Sequence, residues 1–398
     1  MKNPKGVLGM KFFHTADWHL GKLVQGVYMT EDQSYVLEAF IQDVKEEKPD
    51  AIVIAGDLYD RAVPPTEAVH LLDHTLKTLV MDLEIPVLAI AGNHDSPSRL
   101  HFASSMMKQT GLHMTGTLTT ELEPVVLTDA FGEVHFHLIP YVDPSVVRNI
   151  FAEDSVRTHD DAMKKIVNEI QKNMDPSARH IFVGHAFVTP YGEEEENTSD
   201  SERPLSIGGA EYVQARHFQP FHYTALGHLH QAHYVEQEKI RYSGSLLKYS
   251  ISEEHHDKGY YVVEMDGEGA ITTKKRRLHP RRDMRSIECS IDELLQQDKN
   301  DDYVFVHLTD QTPVLMPMEK VRTVYPNALH VDRKQFISEE FGGDSSQSKI
   351  SRTEADPLEL FRSFYKEIKG EDISSEGERL FIETLEEITQ EDNDRSFQ

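Results

Sequence analysis

Cysteine is nearly absent from this chain: among 398 residues there is one, Cys289. A single thiol excludes an intrachain disulfide framework, suits a reducing compartment, and rules out cysteine-held structural zinc. Cys289 itself reads as a small buried hydrophobe. Long apolar runs are missing too, and residues 1–10 lack the hydrophobic stretch of a signal peptide. A soluble cytoplasmic protein with no membrane partner is the expectation, with residues 1–9 an extension ahead of a first strand at Met10. No G-x-x-x-x-G-K-[ST] loop occurs, so any ATP dependence must come from another chain. Positive charge is scarce as well: the formal charge of −27 argues against indiscriminate binding to nucleic acid.

That scarcity is uneven. Residues 271–285 carry seven Lys or Arg against Asp283 alone, whereas residues 339–398 carry 17 acidic and 7 basic groups. The middle of the chain can meet a polyanion; its end cannot. Within the basic stretch, Lys274, Lys275, Arg276 and Arg277 are candidates for phosphate contacts, and read equally well as an exposed basic strand.

What the chain does have is a series of apolar runs that end in polar residues. Residues 51–55 lead into Gly56-Asp57-Leu58-Tyr59-Asp60, residues 11–16 into Asp17-Trp18-His19, and residues 86–92 into Asn93-His94-Asp95. A carboxylate that ends a buried strand stands at the carboxyl edge of a sheet, where open α/β folds place their ligands. Helical periodicity over 31–47, 66–82 and 158–173 alternates with these runs, the βαβ pattern of an α/β domain. Residues 134–140 alternate as a strand; 180–184 end at His185 and 223–227 at His228-Leu229-His230. From 239 to 278 short strands and turns predict hairpins that complete a second sheet. Residues 284–335 hold two strand candidates (284–290 and 303–308) and a helix at 291–297, enough for a small α+β module. A Gly, Ser and Asp-rich linker at 342–353 precedes amphipathic stretches at 357–369 and 379–389, which either pack on their own domain or dock on a partner.

Each polar fragment is weak by itself, but their order is not. D-x-H, G-D-x-x-D, G-N-H-D, G-H and G-H-x-H, each behind an apolar run, supply two carboxylates, one amide oxygen and four imidazoles, enough for two adjacent metal ions. Mixed nitrogen and oxygen donors suit Mn²⁺, Fe²⁺ or Zn²⁺ better than Mg²⁺. Such a pair clamps a phosphoryl oxygen and makes hydroxide available near neutral pH, so phosphoester hydrolysis is the natural reaction. The run of glutamates at 193–196 reads as a solvated loop, and His135, His137, His255 and His256 as strand or surface residues.

The five motifs resemble those of the calcineurin-like metallophosphoesterases. The longer strings HTADWHLG (14–21), GDLYDRAVPP (56–65), GNHDSPSR (92–99), RPLSIGGAEYV (203–213) and YSGSLLKY (242–249) are similar to its bacterial DNA-repair nuclease branch. The resemblance covers residues 10–280 and implies an α/β, two-sheet sandwich flanked by helices, a capping domain at 281–341, and partner-binding helices behind a linker in 342–398. It implies that Asp17, His19 and His230 hold one metal ion and Asn93, His185 and His228 the other, with Asp57 between them and Mn²⁺ as the expected metal. By the same resemblance His94 is the general acid or phosphate-orienting group. Asp60 stands where archaeal and eukaryotic relatives carry histidine and the phosphatase branch carries aspartate, and is expected to orient His94 through a hydrogen bond. The implied function is metal-dependent cleavage of DNA, exonucleolytic at duplex ends and endonucleolytic at hairpins or blocked ends, with a coiled-coil ATPase as partner and a homodimer within a heterotetramer. A small-molecule phosphodiesterase or phosphatase of the same fold, and an inactive scaffold, are the competing readings.

Overall fold

The computed structural model describes residues 9–192, 199, 200, 202 and 211–333, and in the C-terminal part residues 358, 361, 362, 365, 372–382, 384 and 385. The glutamate run at 193–196, the string at 203–210 and the linker at 342–353 lie outside the described residues. The chain divides into two compact units, Met1–Lys334 and Gln335–Gln398.

The main elements that open the first unit are β1 (Met10–Thr15), α1 (Thr30–Glu47), β2 (Ala51–Ile54), α2 (Thr66–Lys77), β3 (Val87–Ile90) and β4 (Leu112–Thr115), with only short helical turns between the last two. The chain then crosses to β5 (Val125–Asp129), β6 (Gly132–Leu138), α3 (His159–Lys172), β7 (Arg179–His185), β8 (Tyr223–Gly227), β9 (His233–Val235) and β10 (Gln237–Tyr242), and returns through β11 (Gly259–Met265) and β12 (Ile271–Arg277). Two six-stranded sheets result, in the orders β12-β11-β1-β2-β3-β4 and β9-β10-β8-β7-β6-β5.

Burial follows the two-residue period of strands. On β1, Phe12 points between the sheets, where it meets Phe136 and Tyr223 edge-on at centroid distances of 5.5 and 5.6 Å. Phe13 points outward onto Phe40 of α1 and Tyr260. Both faces of each central strand are therefore covered, and the runs read as continuously apolar. α3 covers the second sheet through Ile166 and Ile170, beside Phe182, and its start is fixed by a capping box between Thr158 and Asp161.

One expectation about topology is corrected. The hairpin β11–β12 completes the first sheet, not the second: β11 runs antiparallel to β1, with Met10 opposite Met265 and His14 opposite Tyr261. The parallel strand β2 occupies only one side of β1, and β11 satisfies the backbone groups on the other. Only β9 and β10 of this region join the second sheet.

Beyond the sandwich, β13 (Met284–Cys289), β14 (Tyr303–Leu308) and β15 (His330–Arg333) form a parallel sheet, with helical turns at Ile291–Leu294 and Pro317–Val321. The third strand and second turn were not expected, because His330-Val331-Asp332-Arg333 carries almost no apolar pattern and is held by pairing to β14 alone. Cys289 is partly exposed rather than buried, at the end of β13. This module is seated on the sandwich by an apolar cluster of Val24, Met29, Met284, Tyr303 and Phe305. Polar ties surround it: Arg282 Nη1 and Tyr303 Oη both donate to the buried Asp32 carboxylate, at 3.0 and 2.8 Å, and Ser286 donates twice to Glu254. In the second unit, Phe361 stacks on Phe381 with ring centroids 3.9 Å apart and Arg362 pairs with Glu378. Among the described residues, no helix is long and apolar enough to cross a membrane.

Candidate metal centre

Parallel pairing of β1, β2 and β3 aligns their carboxyl ends, and parallel pairing of β7 and β8 does the same in the facing sheet. Asp17, His19, Asp57, Asn93 and His94 therefore meet His185, His228 and His230 across the gap between sheets. The turns that carry them are strained: Asp17, His19, Asp57 and His228 all have positive φ, at 53°, 45°, 53° and 109°. Hydrogen bonds hold them there, among them Asp17 N–H to Gly56 O, His19 N–H to Asp57 O, and His228 N–H to Asp17 Oδ1 at 2.9 Å. Two glycines are required by close approach. A Cβ on Gly92 would lie 2.2 Å from Asp57 Oδ1, and one on Gly56 2.4 Å from His185 Nδ1.

The side chains form two nests joined at one oxygen. His19 Nε2 lies 3.0 Å from His230 Nε2 and 3.5 Å from Asp57 Oδ2. His185 Nε2 lies 2.8 Å from Asn93 Oδ1 and 3.4 Å from the same Asp57 Oδ2. Asp17, His19 and His230 can converge on one ion, and Asp17, Asp57 and His185 on another. His228 is brought against His185, ring centroids 5.4 Å apart.

The donor chemistry fits metal ions. His185 Nδ1 must donate to the Ala55 carbonyl at 2.9 Å, so its Nε2 carries a lone pair aimed at Asp57. His230 Nδ1 donates to Glu253 Oε1 at 3.0 Å, leaving its Nε2 lone pair facing His19 Nε2. His19 Nδ1 has no hydrogen-bond partner among the described residues, its closest acid oxygen being Asp60 Oδ1 at 3.7 Å. The His185 Nε2 lone pair faces the oxygens of Asn93 and Asp57 with no proton between them, and a cation there removes the repulsion. Two donors each about 2.1 Å from one ion at a right angle sit about 3 Å apart, the spacing seen here. Charge agrees: burial, then the Asp57 carboxylate, hold the Asp17 carboxyl well above its usual range, and burial pushes His19, His185 and His228 down. Neutral imidazoles are the form that binds metal.

His94 sits at the rim of this pair, its ring 4.7 Å from that of His19. Its backbone N–H donates to Asp57 Oδ1 and its Nδ1 to the backbone carbonyl of Asp60 at 2.8 Å, which leaves Nε2 outside both bonds. The expected bond from the Asp60 side chain is corrected on this point. That carboxylate turns to Lys22 Nζ at 2.9 Å and towards His19, and only the main chain of Asp60 holds His94.

Several supporting residues escaped the sequence reading. Asp95, the last letter of G-N-H-D, accepts from the N–H groups of Leu58, Tyr59 and Gly92 and so ties the second and third loops together. Its carboxyl is pushed up to about 7 by burial and by Asp57. Gln33 and Tyr249 bind the carbonyl of Trp18 and fix the first loop. Behind His230, Glu253 is fully buried and paired with the buried Lys258, which also donates to Ser245 Oγ and the His230 carbonyl. Asp95 and Tyr249 lie inside the quoted strings and Glu253 just after one, whereas nothing in the sequence marks Gln33 or Lys258.

The basic residues stay apart from this cluster. Arg276 pairs with Glu47 and Arg277 with Asp257, Lys275 Nζ donates to the Asp257 carbonyl, and Lys274 is exposed on the outer strand β12.

Residues 10–232 match the calcineurin-like phosphoesterase family, and residues 280–369 match a family described as type 5 capsule protein repressor C-terminal domain. The chain is 35% identical over 371 residues to the SbcD subunit of the nuclease SbcCD of Staphylococcus epidermidis, covering 92% of this chain and 95% of that protein. Among solved structures, TT1561 of Thermus thermophilus has a TM-score of 0.36 at 11% identity, covering 67% of this chain and 99% of its own. A dimetal phosphatase from Danio rerio has a TM-score of 0.36 at 9% identity, covering 67% of this chain and 98% of its own.

Proposed function

The chain belongs to the calcineurin-like phosphoesterases and, within them, to the SbcD nuclease subunits, and on that premise we propose that it cleaves DNA phosphodiesters at a dinuclear metal centre as the catalytic partner of an SbcC-type coiled-coil ATPase. The observation that carries the reading is the pair of ligand nests that share Asp57 Oδ2, with His94 alongside. Two divalent ions bound there would neutralise charge at phosphorus and supply hydroxide near neutral pH.

In this reading Asp17, His19 and His230 hold one ion, Asn93, His185 and His228 the second, and Asp57 both, with Mn²⁺ the expected metal. His94, protonated at Nε2, gives its proton to the departing 3′ oxygen. The Asp60 carbonyl keeps the ring oriented by accepting from Nδ1 throughout. Residues 281–341 cap the DNA, 342–398 hold the helices that dock on SbcC, and Lys274 to Arg277 contact phosphates beside the cap. Cleavage is exonucleolytic at duplex ends and endonucleolytic at hairpins or blocked ends, in a cytoplasmic heterotetramer built on a dimer of this chain.

The test is Mn²⁺-dependent degradation of end-labelled duplex DNA by the full chain, with and without SbcC and ATP, beside Asp57→Ala and His94→Ala. Loss of cleavage in both variants is the expected result. Intact DNA even with SbcC, together with cleavage of a chromogenic phosphodiester, would point to the small-molecule reading and overturn the nuclease.

A further inference from the structure

At one flank of the sandwich the edges of the two sheets face each other, β9 and β10 on one side and β12 on the other. Side chains from both edges point into the space between them. Tyr261 belongs to the apolar layer between the sheets, and Lys275, directly opposite it on β12, shares its face. From the second sheet come Arg241 on β10 and, opposite it on β9, Tyr234. Further along the same flank a cavity of about 270 Å³ opens between β10 and β12, beside Lys239 and Thr273, so the edges do not close on each other there.

Arg241 stands out on this flank. Only 8% of it is exposed, yet no carboxylate pairs with it among the described residues. Its Nε donates to the Glu238 carbonyl at 3.2 Å, and the guanidinium carbon lies 4.7 Å from the Tyr261 ring centre and 5.5 Å from that of Tyr234. The rings hold the guanidinium in place but take none of its N–H groups. Both terminal nitrogens are without a partner among the described residues, and neither is sealed from solvent. A buried arginine is ordinarily paired.

Lys275 has no acid of its own either. Its Nζ donates to the Asp257 carbonyl, while the Asp257 carboxylate pairs with Arg277. Burial, together with the charges of Lys258, Arg277 and Arg241 and against that of Asp257, lowers Lys275 to about 8. Two cations from facing sheets are thus held near each other without an anion to share. The chemistry of an anion that suits them follows from their shapes. Arg241 presents a fork of terminal N–H groups, and Lys275 a separate ammonium from the other sheet. A carboxylate spends both oxygens on the fork, whereas a tetrahedral phosphate keeps a further oxygen and further charge for the lysine.

We propose that Arg241 and Lys275 form a binding site for a phosphate group on this flank of the sandwich, held by the guanidinium fork and the ammonium together. The phosphate belongs to a DNA strand or is free. The first source rests on the nuclease reading above, from whose basic residues it keeps Lys275 and to which it adds Arg241; the second does not.

Amine acylation at pH 8, mapped by mass spectrometry on the full chain without added metal, reads the site directly. The exposed Lys274, on the other face of β12, is the internal control. The expected result is that inorganic phosphate or a DNA 12-mer slows acylation of Lys275 at least fivefold, that acetate at the same ionic strength does not, and that Lys274 is unaffected. Arg241→Met keeps a side chain between the two rings but removes the fork, and should abolish the protection. A 12-mer that protects at a lower phosphate concentration than the free ion identifies a strand as the source; protection by the free ion alone identifies free phosphate and leaves the nuclease reading to its own test. Unchanged Lys275 reactivity under both ligands, equal protection by acetate, or protection that persists in Arg241→Met would overturn the site. The first two of these are read on the unaltered chain and decide the matter even where the variant fails to fold.

Discussion

Single residues around the metal centre have separable duties, and substitutions should part them. Because the Asp60 main chain, not its carboxylate, holds His94, Asp60→Asn should leave kcat at saturating metal within about tenfold, whereas His94→Ala should lower it by about 10²–10⁴. The Asp60 carboxylate faces His19 Nδ1, so the same Asp60→Asn should raise the Mn²⁺ concentration needed for half-maximal rate. Steady-state rates across a metal titration read both effects. Glu253 acts one step further out. Glu253→Gln keeps the shape but weakens the acceptor for His230 Nδ1–H and unpairs the buried Lys258, so metal affinity should fall about 10- to 100-fold, measured by direct titration of the metal-free chain. An unchanged affinity would show that His230 needs no such support.

At the scale of elements, the joint between the small parallel-sheet module and the sandwich rests on a buried carboxylate. Asp32 on α1 receives Arg282 and Tyr303, both from outside the sandwich. Arg282→Ala removes charge-assisted bonds and should cost about 2 kcal/mol, seen as a lower urea midpoint. Tyr303→Phe should cost less, since the guanidinium remains. The strands that carry ligands were legible because each is one local string, an apolar run followed at once by its polar tip. The hairpin β11–β12 was legible as a hairpin, but its sheet was not, since choosing between two open edges takes register with β1. The third strand of the small module, His330–Arg333, had no periodicity to read. Likewise Glu253 reaches His230 and Asp95 reaches Tyr59 through contacts 23 and 36 residues apart, which no motif spacing announces.

For the whole molecule, buried neutral histidines set the response to acid. His14 lies between the sheets, bonded to Tyr223 Oη and the Leu226 carbonyl, and burial pushes it, like His137, down to about 3. A histidine whose folded value lies below its unfolded value of about 6.5 favours the fold above that pH, and loses the contribution as pH falls towards the folded value. Stability measured by denaturant should therefore decline from about pH 6.5 downwards. A flat profile between pH 7 and 5 would mean that the raised Asp17 and Asp95 carboxyls, which take up protons in the folded chain as pH falls, offset the imidazoles.

The two ligand nests draw on both sheets, and His19 meets His230 across 211 residues. A growing polypeptide thus carries an incomplete cluster for most of its synthesis, and gains the last of the proposed ligands only when His230 has left the ribosome. Copies unfinished before His230, and fragments cut between the sheets, would lack one side of the proposed centre.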